Sequence, residues 1–183
     1  MKTIYVFLAT GFEDIEALTI IDVCRRAALP LQTVSVTGER IVTSSHQVGF
    51  VADMLFDDAD YSNAALLFLP GGMPGAANLA AHSGLNDLIR RHYEAGRPLA
   101  AICAAPLVFG RMGLLAGHRA TCYPGFEPEL QGATVTGEMV VEDAPFLLGK
   151  GPAAALPLAY AIVAHFCGQE KADQIAAGML YRS

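Results

Sequence analysis

The sequence predicts a doubly wound α/β domain, a parallel sheet sandwiched by helices, and three observations carry that prediction. Short apolar runs at residues 4–9, 31–36, 64–69 and 99–102 alternate with segments of helical periodicity. Glycine- and proline-rich turns close several of those runs, as at Thr10-Gly11 and Pro70-Gly71-Gly72. The chain has 183 residues, 53% hydrophobic and 16% charged, which is enough apolar material for one real core and too little charge for disorder.

Taken in order, residues 4–9 read as a first buried strand, 16–28 as an amphipathic helix and 31–36 as a second strand, a β-α-β opening that implies parallel pairing. Residues 43–51 alternate around Gly49 and predict a small hairpin or edge strand, while 64–69 is apolar throughout and predicts a central strand. Residues 79–93 read as one amphipathic helix closing at Gly96, 99–102 as the next buried strand, and 104–112 as a helix stopped by Gly113. Residues 119–149 are β-rich, interrupted by Pro124, Gly125, Gly132, Gly137 and Pro145. A helix follows from Pro152 to Phe166, then a last one over 170–177 beyond Gly168. No linker or repeat divides these elements, so the expectation is a single domain over residues 1–183.

Twelve basic against eighteen acidic residues give a net charge of −6, with no Lys or Arg run, which excludes a nucleic-acid or anionic-membrane surface and favours a small-molecule partner. The amino-terminal apolar run is too short for a signal peptide and is followed by Gly11-Phe12-Glu13-Asp14, and residues 153–167 fall short of a membrane span. The expectation is a cytoplasmic protein with free thiols. Cys24, Cys103, Cys122 and Cys167 form no C-x-x-C pair and have no histidine at zinc spacing, so no metal and no cofactor are expected.

Ligands of doubly wound sheets bind beyond the carboxyl ends of the strands, which directs attention to three strand ends. The run Leu99-Ala100-Ala101-Ile102-Cys103-Ala104-Ala105-Pro106 sets a thiol between a buried strand and a helix, with Ala101 and Ala105 as the small neighbours that a sharp nucleophile elbow requires. A helix N-terminus favours thiolate, which predicts a low thiol pKa; the alternative is an inert core cysteine. The glycine turn at Gly71-Gly72 lets backbone approach a ligand, and the Gly72 amide with that of Ala104 has the makings of an oxyanion hole. Three carboxylates at Glu13, Asp14 and Glu16 argue against phosphate at the first strand's end, and Glu16, one turn into the helix, is placed to lean towards Cys103.

Together these elements resemble the DJ-1/ThiJ/PfpI superfamily, and within it the DJ-1-like branch. The resemblance covers essentially the whole chain through G-F-E-D-I-E-A, I-D-V-C-R-R-A, L-P-G-G-M-P-G-A-x-N-L, A-A-I-C-A-A-P and K-G-P-A-A-A. It implies a flavodoxin-like fold and a homodimer, with Cys103 as reactive nucleophile, Glu16 as the acid bonded to it, the Gly72 and Ala104 amides beside it, and Arg26 near the site and the interface. Two positions depart from the pattern. Tyr123 stands where relatives with glyoxalase-type or hydrolase activity commonly carry a histidine, so the Cys-His pair that peptidase work would want is missing, and proton transfer falls to Glu16. His46 stands where the branch often has an arginine that, with the equivalent of Arg26, binds small anions across the dimer, and a histidine would make such a site pH-sensitive. Two functions follow from the resemblance: cofactor-free glyoxalase or deglycase-like chemistry on small carbonyls, or oxidation of Cys103 to a sulfinate in an oxidative-stress sensor or protective chaperone.

The remaining thiols and imidazoles read as structure. Cys24 and Cys167 fall on apolar helix faces, and Cys122 is a conceivable resolving thiol that strand alternation would turn away from its neighbour Tyr123. His82, His92 and His118 read as solvated, and His165 as a helix-surface or satisfied core residue.

Overall fold

The computed structural model describes residues 2–181. In chain order its elements are β1 (Thr3–Leu8), α1 (Asp14–Arg26), β2 (Leu31–Ser35), β3 (Ile41–Thr43), β4 (Gly49–Val51), β5 (Met54–Leu55), β6 (Ala64–Leu69), α2 (Gly75–Ala81), α3 (Ser83–Glu94), β7 (Leu99–Ile102) and α4 (Pro106–Arg111). The chain continues through β8 (Arg119–Ala120), β9 (Thr134–Val135), β10 (Val140–Asp143), β11 (Phe146–Gly149), α5 (Ala155–Cys167) and α6 (Gln169–Gly178). Seven strands form the central sheet in the order β10-β11-β7-β6-β1-β2-β5, flanked by helices. Every pairing in it is parallel except β10 with β11.

β1, β6, β7 and β11 are apolar on both faces because both faces are covered, which is why their sequences run continuously rather than alternating. Phe7, Phe68, Phe109 and Phe146 are the largest of the side chains that fill the space between the layers, and removal of any one would cost about 3–5 kcal/mol. From β1 the chain winds to β2 on one side and then returns to β6 on the other, so the direction of winding switches between β1 and β6. The crevice that this leaves is crossed by backbone: Glu13 N donates to Gly71 O at 2.9 Å and Gly75 N to Gly11 O at 3.2 Å.

Several expectations are corrected in detail. The first helix begins at Asp14 rather than Glu16, because the Glu13 side chain caps it by accepting from Glu16 N at 2.8 Å. Of the two readings of the segment around Gly49 the hairpin holds: it is the antiparallel pair β3–β4, separate from the main sheet, one edge of which is the two-residue β5. The helix expected over residues 79–93 is two helices broken at His82, whose Nδ1 accepts from Leu85 N at 3.0 Å and caps the second. After Cys103 the chain makes a turn before α4 starts at Pro106. His92 is not solvated. It is 3% exposed, with Nε2 3.0 Å from Pro98 O, because α3 packs that turn against the approach to β7. His118 is half-buried, edge-on to Phe146 and 3.5 Å from Asp143, so it too is engaged rather than free in solvent. His165 lies exposed near the end of α5 as a surface residue, and no helix among the described residues is long and apolar enough to cross a membrane.

Burial lowers the pKa of His92 from 6.5 to about 4, so the folded protein resists a proton that the unfolded chain accepts. Stability from the neutral ring is complete above 6.5 and is lost as pH falls towards 4, by up to about 3 kcal/mol. Urea unfolding across that range is expected to show a steeper loss for the wild type than for His92→Gln; parallel curves would show that the ring carries no such burden.

Candidate active site

Cys103 is the first residue past β7 and adopts φ +65, a left-handed conformation that a residue with a Cβ rarely takes. A neighbouring strand and the loop after β8 hold it there: Cys103 N donates to Gly149 O at 2.9 Å and Cys103 O accepts from Tyr123 N at 2.9 Å. The bend turns the side chain back over the sheet end, where the amides of Gly72 and Ala104 hydrogen-bond its sulfur. Gly72 has φ +86, and a Cβ there would lie 2.5 Å from Glu13 N, so glycine is needed to bring its amide this close.

Glu16 approaches from α1. Its Oε2 accepts from Gly71 N at 2.8 Å, and the Cys103 thiol hydrogen-bonds its carboxyl. Oε1 is buried with no oxygen or nitrogen partner. Gly71 does not need glycine for its backbone angles; it needs the space, because a Cβ would lie 2.6 Å from both Cys103 Cβ and Glu16 Oε2. The sequence therefore brings Cys103, Glu16, Gly71, Gly72 and Ala104 into one cluster.

The electrostatics differ from the expectation of a low thiol pKa. Burial, then the Glu16 charge and hydrogen bond, push the Cys103 thiol up to about 12 against the pull of the Gly72 and Ala104 amides. Burial and then the Glu13 charge push Glu16 up to about 7, although Cys103 and the Gly71 amide favour its carboxylate. Two groups in contact cannot both ionise cheaply, so they titrate as a pair that loses its first proton near 7. The helix-terminus rule failed as a guide to the thiol alone because the sulfur is buried and an acid sits against it.

The other candidates are arranged less tightly. Tyr123 is linked to Cys103 through its backbone, and its ring stands over Gly151, where a Cβ would lie 3.2 Å from it, at the edge of a cavity of about 190 Å³ shared with Met139 and Lys150. Cys122 is buried, and burial pushes its pKa to about 11, an inert thiol rather than a poised one. Cys24 is buried under α1, whereas Cys167 is exposed at the end of α5 rather than packed in an apolar face; all four cysteines are free. His46 is held to the start of α1. Its Nδ1 is 2.7 Å from Asp14 Oδ2 and 4.0 Å from Glu13 Oε1, so within the chain it meets carboxylates rather than joining a cationic pair. The Asp14 hydrogen bond raises its pKa. Arg26 bonds Asp22 at 2.7 Å and lies ten residues along α1 from Glu16, about 15 Å down the axis.

Glu13, Asp14 and His46 are a group that the sequence reading did not assemble: their ligand atoms lie within 4.8 Å of one another. The Asp14–His46 ion pair and the Glu13 cap account for their arrangement without an ion. Their closeness was hidden because His46 lies 32 positions along the chain from Asp14; the contact is set by Ser45 N donating to Phe12 O at 2.8 Å.

Comparison with known proteins identifies the frame around this cluster. Residues 2–165 match the model of the DJ-1/PfpI family. Among curated proteins, the chain is 36% identical over 178 residues to the Arabidopsis thaliana protein DJ-1 homolog B, covering 97% of this chain and 41% of that one. It is 32% identical to Drosophila melanogaster protein dj-1beta, covering 98% and 97%, and 27% identical to the Caenorhabditis elegans glutathione-independent glyoxalase DJR-1.2, covering 89% and 87%. The chain thus spans under half the length of the Arabidopsis relative. Among solved structures, a mutant of a DJ-1 superfamily protein from Salmonella typhimurium superposes with a TM-score of 0.95 at 31% identity, covering all of both chains. Oxidised DJ-1 from Toxoplasma gondii does so with a TM-score of 0.95 at 32% identity, again covering all of both.

Glu16 gives the cluster a signature in stability. Its pKa rises from 4.5 to about 7 on folding, so the folded protein holds a proton that the unfolded chain gives up. Stability is complete below 4.5 and falls as pH climbs through about 7, by about 3 kcal/mol, and Glu16→Gln should lose less over the same range. Thermal unfolding of both proteins over that range measures the difference; equal pH dependence would assign Glu16 an ordinary carboxyl.

Proposed function

Because the chain belongs to the DJ-1/PfpI family, we propose that it is a reactive-cysteine protein acting on small dicarbonyls such as methylglyoxal, with Cys103 as nucleophile and Glu16 as its proton acceptor. The observation that carries this reading is the contact between Cys103 and a buried carboxyl whose pKa, about 7, suits acid–base work at neutral pH. The name of the Caenorhabditis elegans relative, a glutathione-independent glyoxalase, supports it.

The thiol needs no preformed charge. Cys103 Sγ bonds to the aldehyde carbon as its proton passes to the Glu16 carboxylate, and the carbonyl π electrons move to oxygen. The amides of Gly72 and Ala104, already directed at the sulfur, are placed for that alkoxide. Glu16 returns the proton to give a hemithioacetal, then takes the proton from the former aldehyde carbon and delivers it to the neighbouring carbon, while the hydroxyl proton on the first carbon's oxygen passes to the ketone oxygen of the second. That shift oxidises one carbon and reduces the other within the same molecule, leaving a lactoyl thioester that water cleaves to lactate and free thiol. The ring of Tyr123, a phenol and a weak base, is left to line the opening.

A second reading rests on the same amides. Peroxide would take the sulfur to a sulfinate whose oxygens accept from Gly72, Ala104 and a protonated Glu16, and oxidised Toxoplasma gondii DJ-1 supports it as a state open to this fold. The protein would work as a homodimer joined through the outer face of α1 and the adjacent β3–β4 pair. There Ile15, Leu18, Ile41, Val48 and Val51 are exposed apolar side chains, 41–65% open to solvent.

Lactate formation from methylglyoxal is expected to vanish in Cys103→Ala and to fall by about 10²–10⁴-fold in Glu16→Gln. Alkylation of Cys103 in the wild type should rise with pH through an inflection near 7, absent in Glu16→Gln. No turnover together with selective peroxide oxidation of Cys103 would select the second reading. Retained lactate formation in Cys103→Ala would remove the nucleophile from both. Leu18→Arg is expected to sediment as a monomer, and an unchanged mass would move the interface elsewhere.

A further inference from the structure

A second cavity, of about 730 Å³, opens where β7 and β11 begin, at the end of the sheet away from Cys103. Phe146 pairs with Leu99 and Gly149 with Ile102, so the cavity lies three strand residues, about 10 Å, from the Cys103 bend. Its floor is built of rings. Phe146 is 1% exposed, Tyr93 stacks on it at 5.7 Å and 25°, and His118 meets it edge-on at 5.0 Å. Pro98, Pro145 and Leu147 add apolar wall.

Above this floor the lining carries three carboxylates, Glu94, Glu142 and Asp143, the imidazoles of His118 and His165, and no lysine or arginine. Asp143 Oδ2 accepts from Arg119 N at 2.6 Å and faces His118, which fixes it in place. Among the described residues, Glu94 and Glu142 make no ion pair and no side-chain hydrogen bond. Flat rings beneath two unpaired acids, Glu94 and Glu142, with Asp143 beside them, are the combination that recognises an organic cation, through dispersion on the ring face and charge at the rim. The volume suits a small molecule. A bare metal ion fits less well, since the three-residue ligand set with atoms close enough together lies at Glu13, Asp14 and His46 instead.

We propose that this cavity binds a small organic ammonium ion, its apolar body against Tyr93 and His118 and its charge against Glu94, Glu142 and Asp143. The site is independent of Cys103 and of any chemistry there. The test is an amide NMR titration of the full chain with benzylammonium chloride, against benzyl alcohol and benzoate as neutral and anionic controls of the same shape. Saturable shifts centred on Gly96, His118 and Ala144 are expected, with a Kd of about 1 mM, weakened by salt. Benzyl alcohol should bind several-fold more weakly and benzoate not at all. The exposed pair Glu94→Gln with Glu142→Gln should weaken benzylammonium about fivefold without disturbing the fold, while Cys103→Ala leaves it unchanged. Equal binding of all three probes, shifts centred on the Cys103 bend, or no saturation would overturn the proposal.

Discussion

One proton, shared between the Cys103 thiol and the Glu16 carboxyl, is the constraint around which the rest is arranged. It requires a cysteine bent back over the sheet, an acid pushed inward from α1, and nothing between them. Gly71 meets the last requirement by lacking a side chain, and the Gly71 amide fixes one carboxyl oxygen while the other stays unpaired. The acid's entry depends in turn on Glu13, which caps α1 by binding Glu16 N and adds a negative charge that lifts the Glu16 pKa further. A change at any of these positions reaches the sulfur through the proton rather than through direct contact.

Much of the frame was legible in the sequence because burial writes itself into composition. β1, β6 and β7 are covered on both sides, so their residues are apolar without interruption, and the small residues around Cys103 mark a bend where larger ones would not fit. The break at His82 was invisible because periodicity continues across it and the signal is an imidazole used as a cap, a role more familiar from Ser or Asp. β5 and β8 are two residues each, too short to leave a pattern. His92 was misread because its position on an amphipathic helix suggested solvent, whereas the turn into β7 closes over it.

The site was legible in membership and misjudged in electrostatics. Cys103, Glu16, Gly71, Gly72 and Ala104 come together, but the thiol is held neutral rather than ionised. Local rules explain the difference. A helix terminus and two amides stabilise a thiolate, but those rules are silent about an acid contributed from 87 positions earlier in the chain, whose charge opposes a second charge beside it. The same long-range assembly gathers Glu13, Asp14 and His46, a cluster of charge that no single segment displays.

The two backbone ties on Cys103 have a consequence for synthesis. One runs to Tyr123 and the other to Gly149, both made after the cysteine has left the ribosome. Until the chain has grown past the second anchor, the pair of ties that holds the bend is incomplete. The bend is thus completed late, only after Gly149 has been made.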